Sequence, residues 1–522
     1  MRRQHRLCIP GSCRRRDHCL PRFARRHPGR RAISIGDGGV SNDQFLPTAD
    51  SFQDRGNKAV QDRSMTHFSA NSPHARDVAS VLHPQTHART HLEVGPTIMT
   101  HADGVFVHDD TGQAYLDAGA GLWCASLGYA NERLAKTAYE AMKTLGYYQI
   151  FRHASHGPAI DLSEKLLSIA PVPMSKVLLQ CSGSEANDSA VKLVWYHWRA
   201  QGKPEKRKII SRSGSYHGST CVTISLTAKP DYHAGFGLPF EGFLYTDCPH
   251  YYRDALPGET EEAFSARLAA RLEEQILAEG PETVAAFWAD PVQGGAGALP
   301  PPSGYFQEIQ KVLRKYDVLL VADEVICGFG RTGHMWGCQA YGMEPDMISC
   351  AKALSAAMQP ISAVLLNERI FQSIMTQSDR LGSFVHGFTY AGHPVAASVA
   401  LETLRIYDEM DLIGHVRAVE PVFLAALATL AGHPLVGDAS GIGLIGGIEL
   451  VRDKATKARW PAEAKLGARI DAHARRNGLI LRIVGDRIAF SPPLIITAEE
   501  VREMARRMQA TLDGVLEELH TP

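Results

Sequence analysis

Six short apolar runs without polar alternation limit this chain more than any other feature of its sequence. They read "KVLLQC" (176–181), "KIIS" (208–211), "AAFWAD" (285–290), "VLLVAD" (318–323), "DMISCA" (346–351) and "ISAVLL" (361–366). Helical patterns separate several of them, at 186–200, 261–278 and 305–315. A run with no alternation is a strand buried on both faces, and such runs separated by helices build a parallel sheet covered on both sides. The expected class is therefore α/β, with a mostly parallel central sheet.

In such a sheet, ligands gather beyond the carboxyl ends of the strands. The residues that follow each run are therefore the candidate chemistry. Ser182, Gly183 and Ser184 follow the first run and open a helix; Tyr216 and His217 follow the second. Asp290 closes the third run, Asp323 the fourth with Val325 just after it, and Lys352 follows the fifth. Free backbone N–H groups and hydroxyls at a helix start suit a phosphate. Tyr216 offers a ring face, Asp323 a partner for a heterocyclic cation, and Lys352 an amine able to form a Schiff base. Each alone has an ordinary reading, since an Asp at a strand end commonly caps the next helix and a Tyr after a strand is commonly core. Together they are the set that pyridoxal 5'-phosphate requires.

"ADEVICGFGRTG" followed by "PDMISCAKALSAAMQPISA" resembles the signature of the class III (omega) aminotransferases, pyridoxal-phosphate enzymes of fold type I. The likeness continues through "CSGSEANDSAVKL", "SYHGS", "DPVQGGAGA", "HGFTYAGHPVA" and "LRIVGDRIAFSPPLIIT", in family order, from about Gly104 to the C-terminus. The resemblance implies that Lys352 carries the cofactor as an imine and that Asp323 pairs with its pyridine nitrogen. Val325 would lie under the ring, Tyr216 would stack on it with His217 beside it, and Ser182, Gly183 and Ser184 would bind the phosphate. It also implies that Thr389 reaches the phosphate of a neighbouring subunit. Trp123, Tyr148 and Phe151 would line the substrate pocket, and Arg482 would be a mobile arginine that holds substrate carboxylates. Amine–pyruvate and omega-amino acid members are the nearest likeness.

"GFGRTG" (328–333) also fits the dinucleotide fingerprint G-x-G-x-x-G. That fingerprint must open a long helix, and Gly337, Gly342 and Pro345 leave no room for one. The resemblance implies instead that these glycines form a loop near the cofactor. The sequence departs from the family pattern in two places, the stretch after the lysine and the residue before Pro291. Ala353 follows the lysine where Gly is common, with Ala357-Met358 in place of Gly-Tyr, and Asp290 stands where Glu is common.

Four segments are expected. Residues 1–64 carry 14 Lys+Arg against 6 Asp+Glu, with prolines that break any helix, and read as an unfolded extension or an over-long gene start. Residues 65–130 read as an arm with one short helix near 75–82 and the hairpin "GVFVHDDTGQAYLDA", contributing to a small domain. Residues 131–393 would form the large cofactor-binding domain, and 394–522 a smaller α+β domain with a helix after Pro394, strands in "GIGLIGGIEL" and "LILRIV", and a final helix from Ala498. The net charge of −1 gives no reason to expect a nucleic-acid partner, and no run is expected to span a membrane. Cys8, Cys13 and Cys19 with His18 fit no zinc spacing, so no metal is expected. The other seven cysteines are scattered singly, an intracellular usage that suggests a cytoplasmic protein.

The expected reaction is transfer of an amino group from an amine or omega-amino acid to a keto acid such as pyruvate, in a homodimer or tetramer with shared sites. A 2,2-dialkylglycine decarboxylase or an aminomutase on the same scaffold is the alternative. A non-enzymatic regulator would need a DNA-binding module, and the Arg-rich start is no helix-turn-helix.

Overall fold

The apolar runs assemble into one seven-stranded sheet in a computed structural model that describes residues 68–520. Its order is Lys176–Gln180, Ser362–Leu366, Met347–Cys350, Leu319–Asp323, Val284–Ala289, Lys208–Arg212 and Phe243–Thr246. From Met347–Cys350 to the Phe243–Thr246 edge every pairing is parallel. Ser362–Leu366 runs antiparallel to both its neighbours. The reason is the short connection after Cys350: a parallel return needs a crossover of a dozen or more residues. Phe243–Thr246 escapes a reading based on long apolar runs because it is a four-residue edge strand, buried fully only at Phe243.

Val284–Ala289 and Leu319–Asp323 are buried along their whole length, the cause of their unbroken apolar sequence. Helices cover both faces. Gly183–Ala200 starts on a capping box in which the Ser182 hydroxyl accepts from the Glu185 amide, while Glu185 reaches back to the Ser182 amide. Tyr305–Lys315 buries Tyr305, Phe306, Ile309, Val312 and Leu313 on one stripe.

Two smaller sheets flank this layer. Met99–Asp103, Phe106–Asp109 and Ala114–Asp117 form an antiparallel meander, and Leu479–Ile480 pairs in parallel with its third strand. The expected hairpin is present, its turn closed by Asp109 Oδ1, which accepts from the Thr111 and Gln113 amides at 2.9 and 3.0 Å. The third sheet has the order Val436–Ile442, Ile445–Leu450, Arg487–Phe490, Arg482–Val484.

Several expectations need correction. The arm holds two helices, Pro73–Ser80 and Ala88–Val94, not one. Leu412–Ala431 is a twenty-residue helix, long and apolar enough to cross a membrane by length and composition, with mean hydropathy 1.4. One face of it joins the core: Leu412, Val416, Val419, Phe423, Leu427 and Leu430 form one buried stripe, facing strand Val436–Ile442 and helix Ala498–His520. The "GFGRTG" glycines, expected near a cofactor, do not border the cavity at the carboxyl ends of the strands. Gly330, at φ +107°, packs toward Leu494 and Leu412, Gly333 toward Arg417, and Arg331 is buried with Nη1 donating to the Leu444 carbonyl at 3.1 Å. The loop therefore ties the large sheet to the C-terminal segment. The readings of residues 1–64, including Cys8, Cys13, His18 and Cys19, lie outside the described residues. The seven cysteines within them are all free.

Candidate active site

Because five of the strands run in parallel, the ends at Arg212, Ala289, Asp323 and Cys350 open on the same edge of the sheet, and the Gln180 end joins them. A cavity of about 400 Å³ lies there. Its walls include Ser182, Gly183, Ser184, Tyr216, His217, Asp290, Asp323, Val325, Lys352, Trp123 and Arg482. Most of the residues singled out from sequence are thus brought together from segments far apart in the chain.

Asp323 is the most constrained of them. Its Oδ2 accepts from Asn187 Nδ2 at 2.8 Å and from His217 Nδ1 at 2.7 Å, and its Oδ1 from the Val325 amide at 3.1 Å. A carboxylate only accepts, so His217 carries its proton on Nδ1. Asn187 was not legible as a functional residue. It sits one turn beyond Gly183 on the same helix, where its amide bridges Asp323 and the His217 carbonyl, both at 2.8 Å, and its oxygen accepts from Ser349. The one available signal was spacing: it faces the sheet from the helix that begins at the proposed phosphate site.

The neighbouring acid does different work. Glu324 is buried and turned away, accepting from the Gly337 and Cys338 amides at 2.9 and 2.6 Å. Burial pushes its carboxyl up to about 7. Of the two acids in "ADEV", one faces the cavity and the other holds the start of helix Gly337–Ala340.

Lys352 begins a short 3-10 turn and has a left-handed φ of +48°. Burial holds its ammonium below the ordinary lysine range, against the opposing pull of Asp323. A lysine so placed reaches the neutral, nucleophilic form more readily than one on the surface.

The phosphate end is built from helix Gly183–Ala200. Its first-turn N–H groups have no helical partners, and the positive end of the helix dipole lies there. A Cβ on Gly183 would meet Val325 Cγ1 and Cγ2 at 3.0 and 3.1 Å, so only glycine lets this turn approach so closely. Ser184 Oγ accepts from the Ser219 amide at 3.0 Å. Ser182 spends its amide and one hydroxyl lone pair on the capping box with Glu185, and its O–H still lines the cavity beside Gly183 and Ser184. Tyr216 hydrogen-bonds Ser219 Oγ at 2.9 Å and stands edge-on to Tyr232 at 5.8 Å.

Asp290 explains one departure from the family pattern. It is buried, accepting from Arg212 Nη2 at 2.7 Å through Oδ1 and from the Gly294 amide at 2.8 Å through Oδ2. The shorter acid is tied back to a fully buried arginine behind the cavity wall.

On the substrate side, Trp123 is buried against the cavity, and Arg482 projects from strand Arg482–Val484 with Nη2 3.5 Å from Gln85 Oε1. Lys229 and Gln85 also line the cavity, and neither stood out in the sequence. Tyr148, Phe151 and Thr389, the last of them expected to serve a neighbouring subunit, stand elsewhere. None lines the cavity of this chain; Tyr148 and Phe151 are 52% and 39% exposed, and Thr389 is exposed as well. The cause is local: "YYQIF" follows helix Glu132–Leu145 onto the surface and packs beside the Thr389 loop, where Tyr147 donates to the Thr389 carbonyl at 2.7 Å and Phe151 abuts Gly387.

The profile of the Aminotransferase class-III family matches residues 87–512. The chain belongs to the class III aminotransferases. It is 47% identical over 452 residues to "Gamma-aminobutyrate transaminase 1, mitochondrial" of Oryza sativa subsp. indica, a match covering 85% of this chain and 88% of the relative. It is 46% identical over 425 residues to "Gamma aminobutyrate transaminase 3, chloroplastic" of Solanum lycopersicum, covering 81% and 82%. Among solved structures it resembles the omega transaminase from Pseudomonas jessenii in complex with PMP, at TM-score 0.84 and 49% identity, covering 85% of this chain and 98% of that one.

As a class III aminotransferase the protein is a fold-type I enzyme that uses pyridoxal phosphate, and the cavity fits that group. The glycine-narrowed helix start would hold its phosphate, Asp323 its pyridine nitrogen and Lys352 its aldehyde carbon, with Tyr216 and Val325 on the same cavity wall. When bound, the cofactor supplies an electron sink for the bond broken at the amine-bearing carbon. The chain supplies the rest. Asp323, fixed by Asn187, His217 and the Val325 amide, presents a negative charge in one orientation. Lys352, whose ammonium burial disfavours, would be the group that holds and moves the proton, at its Nζ.

Proposed function

We propose that this aminotransferase moves the amino group of an omega-amino acid or simple amine to a keto acid, with pyruvate as acceptor. The observation that carries the reading is Arg482. Its guanidinium shares the cavity with Lys352, and its Nε is buried without a hydrogen-bond partner among the described residues. Its contact to Gln85 is long, so a carboxylate can replace it with a charge-assisted, bidentate pair. Lys229 adds a second positive group to the same wall. The relatives named gamma-aminobutyrate transaminases support an omega-amino acid as donor.

The reaction should be ping-pong, each half read in the cofactor's visible spectrum. Arg482→Ala should slow the pyruvate half-reaction by about ten- to a hundredfold, the loss of about 1.5–3 kcal/mol for a hydrogen bond to a charged group. A monoamine half-reaction should fall far less. Equal losses in both would overturn the carboxylate role. Carbon dioxide release would point instead to the decarboxylase reading, and return of the cofactor to its aldehyde form without added keto acid to an aminomutase.

We infer also that the enzyme works as a homodimer, or as a tetramer made of two such dimers. Support comes from Thr389, Tyr148 and Phe151: a family phosphate ligand and two pocket aromatics stand together on one exposed patch, away from the cavity of their own chain.

A further inference from the structure

Helices Pro73–Ser80 and Ala88–Val94 bury no residue, so hydrophobic packing does not fix the arm they form. What joins them is polar. Asp77 on the first helix, His83 in the linker and His91 on the second converge on one point. His83 Nε2 lies 2.8 Å and His91 Nε2 3.2 Å from the same atom, Asp77 Oδ1. The two imidazole rings are 4.2 Å apart between centroids, inclined at 39°. The donor atoms all lie within 4.8 Å of one another. All three residues are partly buried; the His91 side chain is 10% and that of Asp77 17% exposed.

We propose that Asp77, His83 and His91 form a binding site for a divalent zinc-class cation that clips the arm in place. Zinc bonds of about 2.0–2.2 Å to nitrogen and oxygen put tetrahedral ligand atoms about 3.3 Å apart. The two distances to Asp77 Oδ1, 2.8 and 3.2 Å, already lie within about half an ångström of that spacing. Two imidazoles and one carboxylate are a borderline-soft donor set, which selects zinc over magnesium or calcium and leaves a fourth position for water. In the metal-free arm each Nε2 must donate a proton to Asp77. A cation on the two Nε2 atoms takes the place of those protons, each of which moves to Nδ1 of the same neutral ring.

The position of the site gives it a consequence. The linker it closes carries Gln85, at a left-handed φ of +51°, to the cavity wall beside Arg482. A cation on the clip therefore holds Gln85, whose Oε1 lies 3.5 Å from Arg482 Nη2. The inference rests on the arm alone and stands whichever substrate the enzyme takes.

The test is titration of zinc sulfate into the pyridoxal-phosphate-loaded enzyme by calorimetry. One equivalent should bind per chain, and backbone hydrogen exchange across residues 73–94 should slow. Cobalt(II) should give the visible absorption of a tetrahedral nitrogen–oxygen site. His83→Gln and His91→Gln, which keep a donor for Asp77, should abolish the binding, the slowed exchange and the cobalt spectrum, while the metal-free melting temperature stays near that of the parent. If His91→Gln alone lowers that temperature, His83→Gln, at a half-exposed linker position, serves as the reporter. No zinc binding, or zinc binding undiminished in these variants, would overturn the proposal.

Discussion

Asp323 shows how much a single side chain depends on neighbours that the sequence does not advertise. Three donors hold it, and one of them, Asn187, also ties the His217 carbonyl and Ser349 into the same knot. Replacing Asn187 by Ala removes a hydrogen bond to a buried carboxylate, worth about 1.5–3 kcal/mol. The expected result is a fall in kcat of about ten- to a hundredfold, with the internal lysine linkage still formed. Single-turnover spectroscopy reads both quantities, and unchanged proton abstraction would remove Asn187 from the positioning of Asp323. Borohydride reduction of the loaded enzyme should fix the cofactor to Lys352 alone, as peptide mapping would show. The residues after Lys352 carry a separate cost. Ala357 is exposed at φ +68°, in the left-handed region where a Cβ is disfavoured by about 1–2 kcal/mol. Ala357→Gly, which restores the common family residue, should stabilise the protein by about 0.5–1 kcal/mol after the entropy cost of glycine. Urea unfolding would measure it, and a loss of stability would contradict the strain argument.

At the scale of elements, the decisive contact is between the first turn of helix Gly183–Ala200 and the loop after Asp323. Gly183 allows the helix end to touch Val325, and so sets the phosphate site at a fixed distance from the carboxylate. Gly183→Ala would press a Cβ against both Val325 methyls. Overpacking of this kind costs about 1–3 kcal/mol. Since the strain falls on the cofactor cradle, the dissociation constant for pyridoxal phosphate should rise about tenfold or more. Titration of apoenzyme with the cofactor tests this; parent-like affinity would show that the turn can back away freely. The same element scale explains the antiparallel strand: the segment from Cys350 to Ser362 is occupied by the Lys352 turn and has no length left for a crossover helix.

For the whole molecule, the division of labour between two surfaces matters most. One is the cavity; the other is the exposed patch with Tyr147, Tyr148, Phe151, Thr389 and Tyr390. Contiguous exposed apolar surface of this sort marks an association site. A two-fold dimer would set two such patches against two cavities. Sedimentation should therefore show a dimer or tetramer at assay concentrations, and Thr389→Ala should weaken cofactor binding although Thr389 lies outside the cavity of its own chain. A fully active monomer, or a Thr389→Ala enzyme with parent-like cofactor affinity, would refute the shared site.

Much of this protein was legible in its sequence because the chemistry sits where burial changes. The apolar runs declared the sheet, and their ends declared Ser184, Tyr216, Asp323 and Lys352, since a strand that leaves the core must leave it at a polar residue. The hairpin and the helix starts were equally plain, because turns and caps are made by residues a few positions apart. What the sequence left open was decided by contacts between distant segments. Asn187, Lys229 and Gln85 reach the cavity only once their helices and linkers are packed, and nothing local separates them from ordinary surface residues. Asp323 and Glu324 are adjacent, yet the pleat of the strand end turns one to the cavity and the other to a helix start. The glycine loop went to the C-terminal segment, and one face of helix Leu412–Ala431 joined the core, because each found an apolar partner well separated from it in sequence. Local order follows from bonding between near neighbours along the chain; which side chains meet follows from how the chain closes on itself.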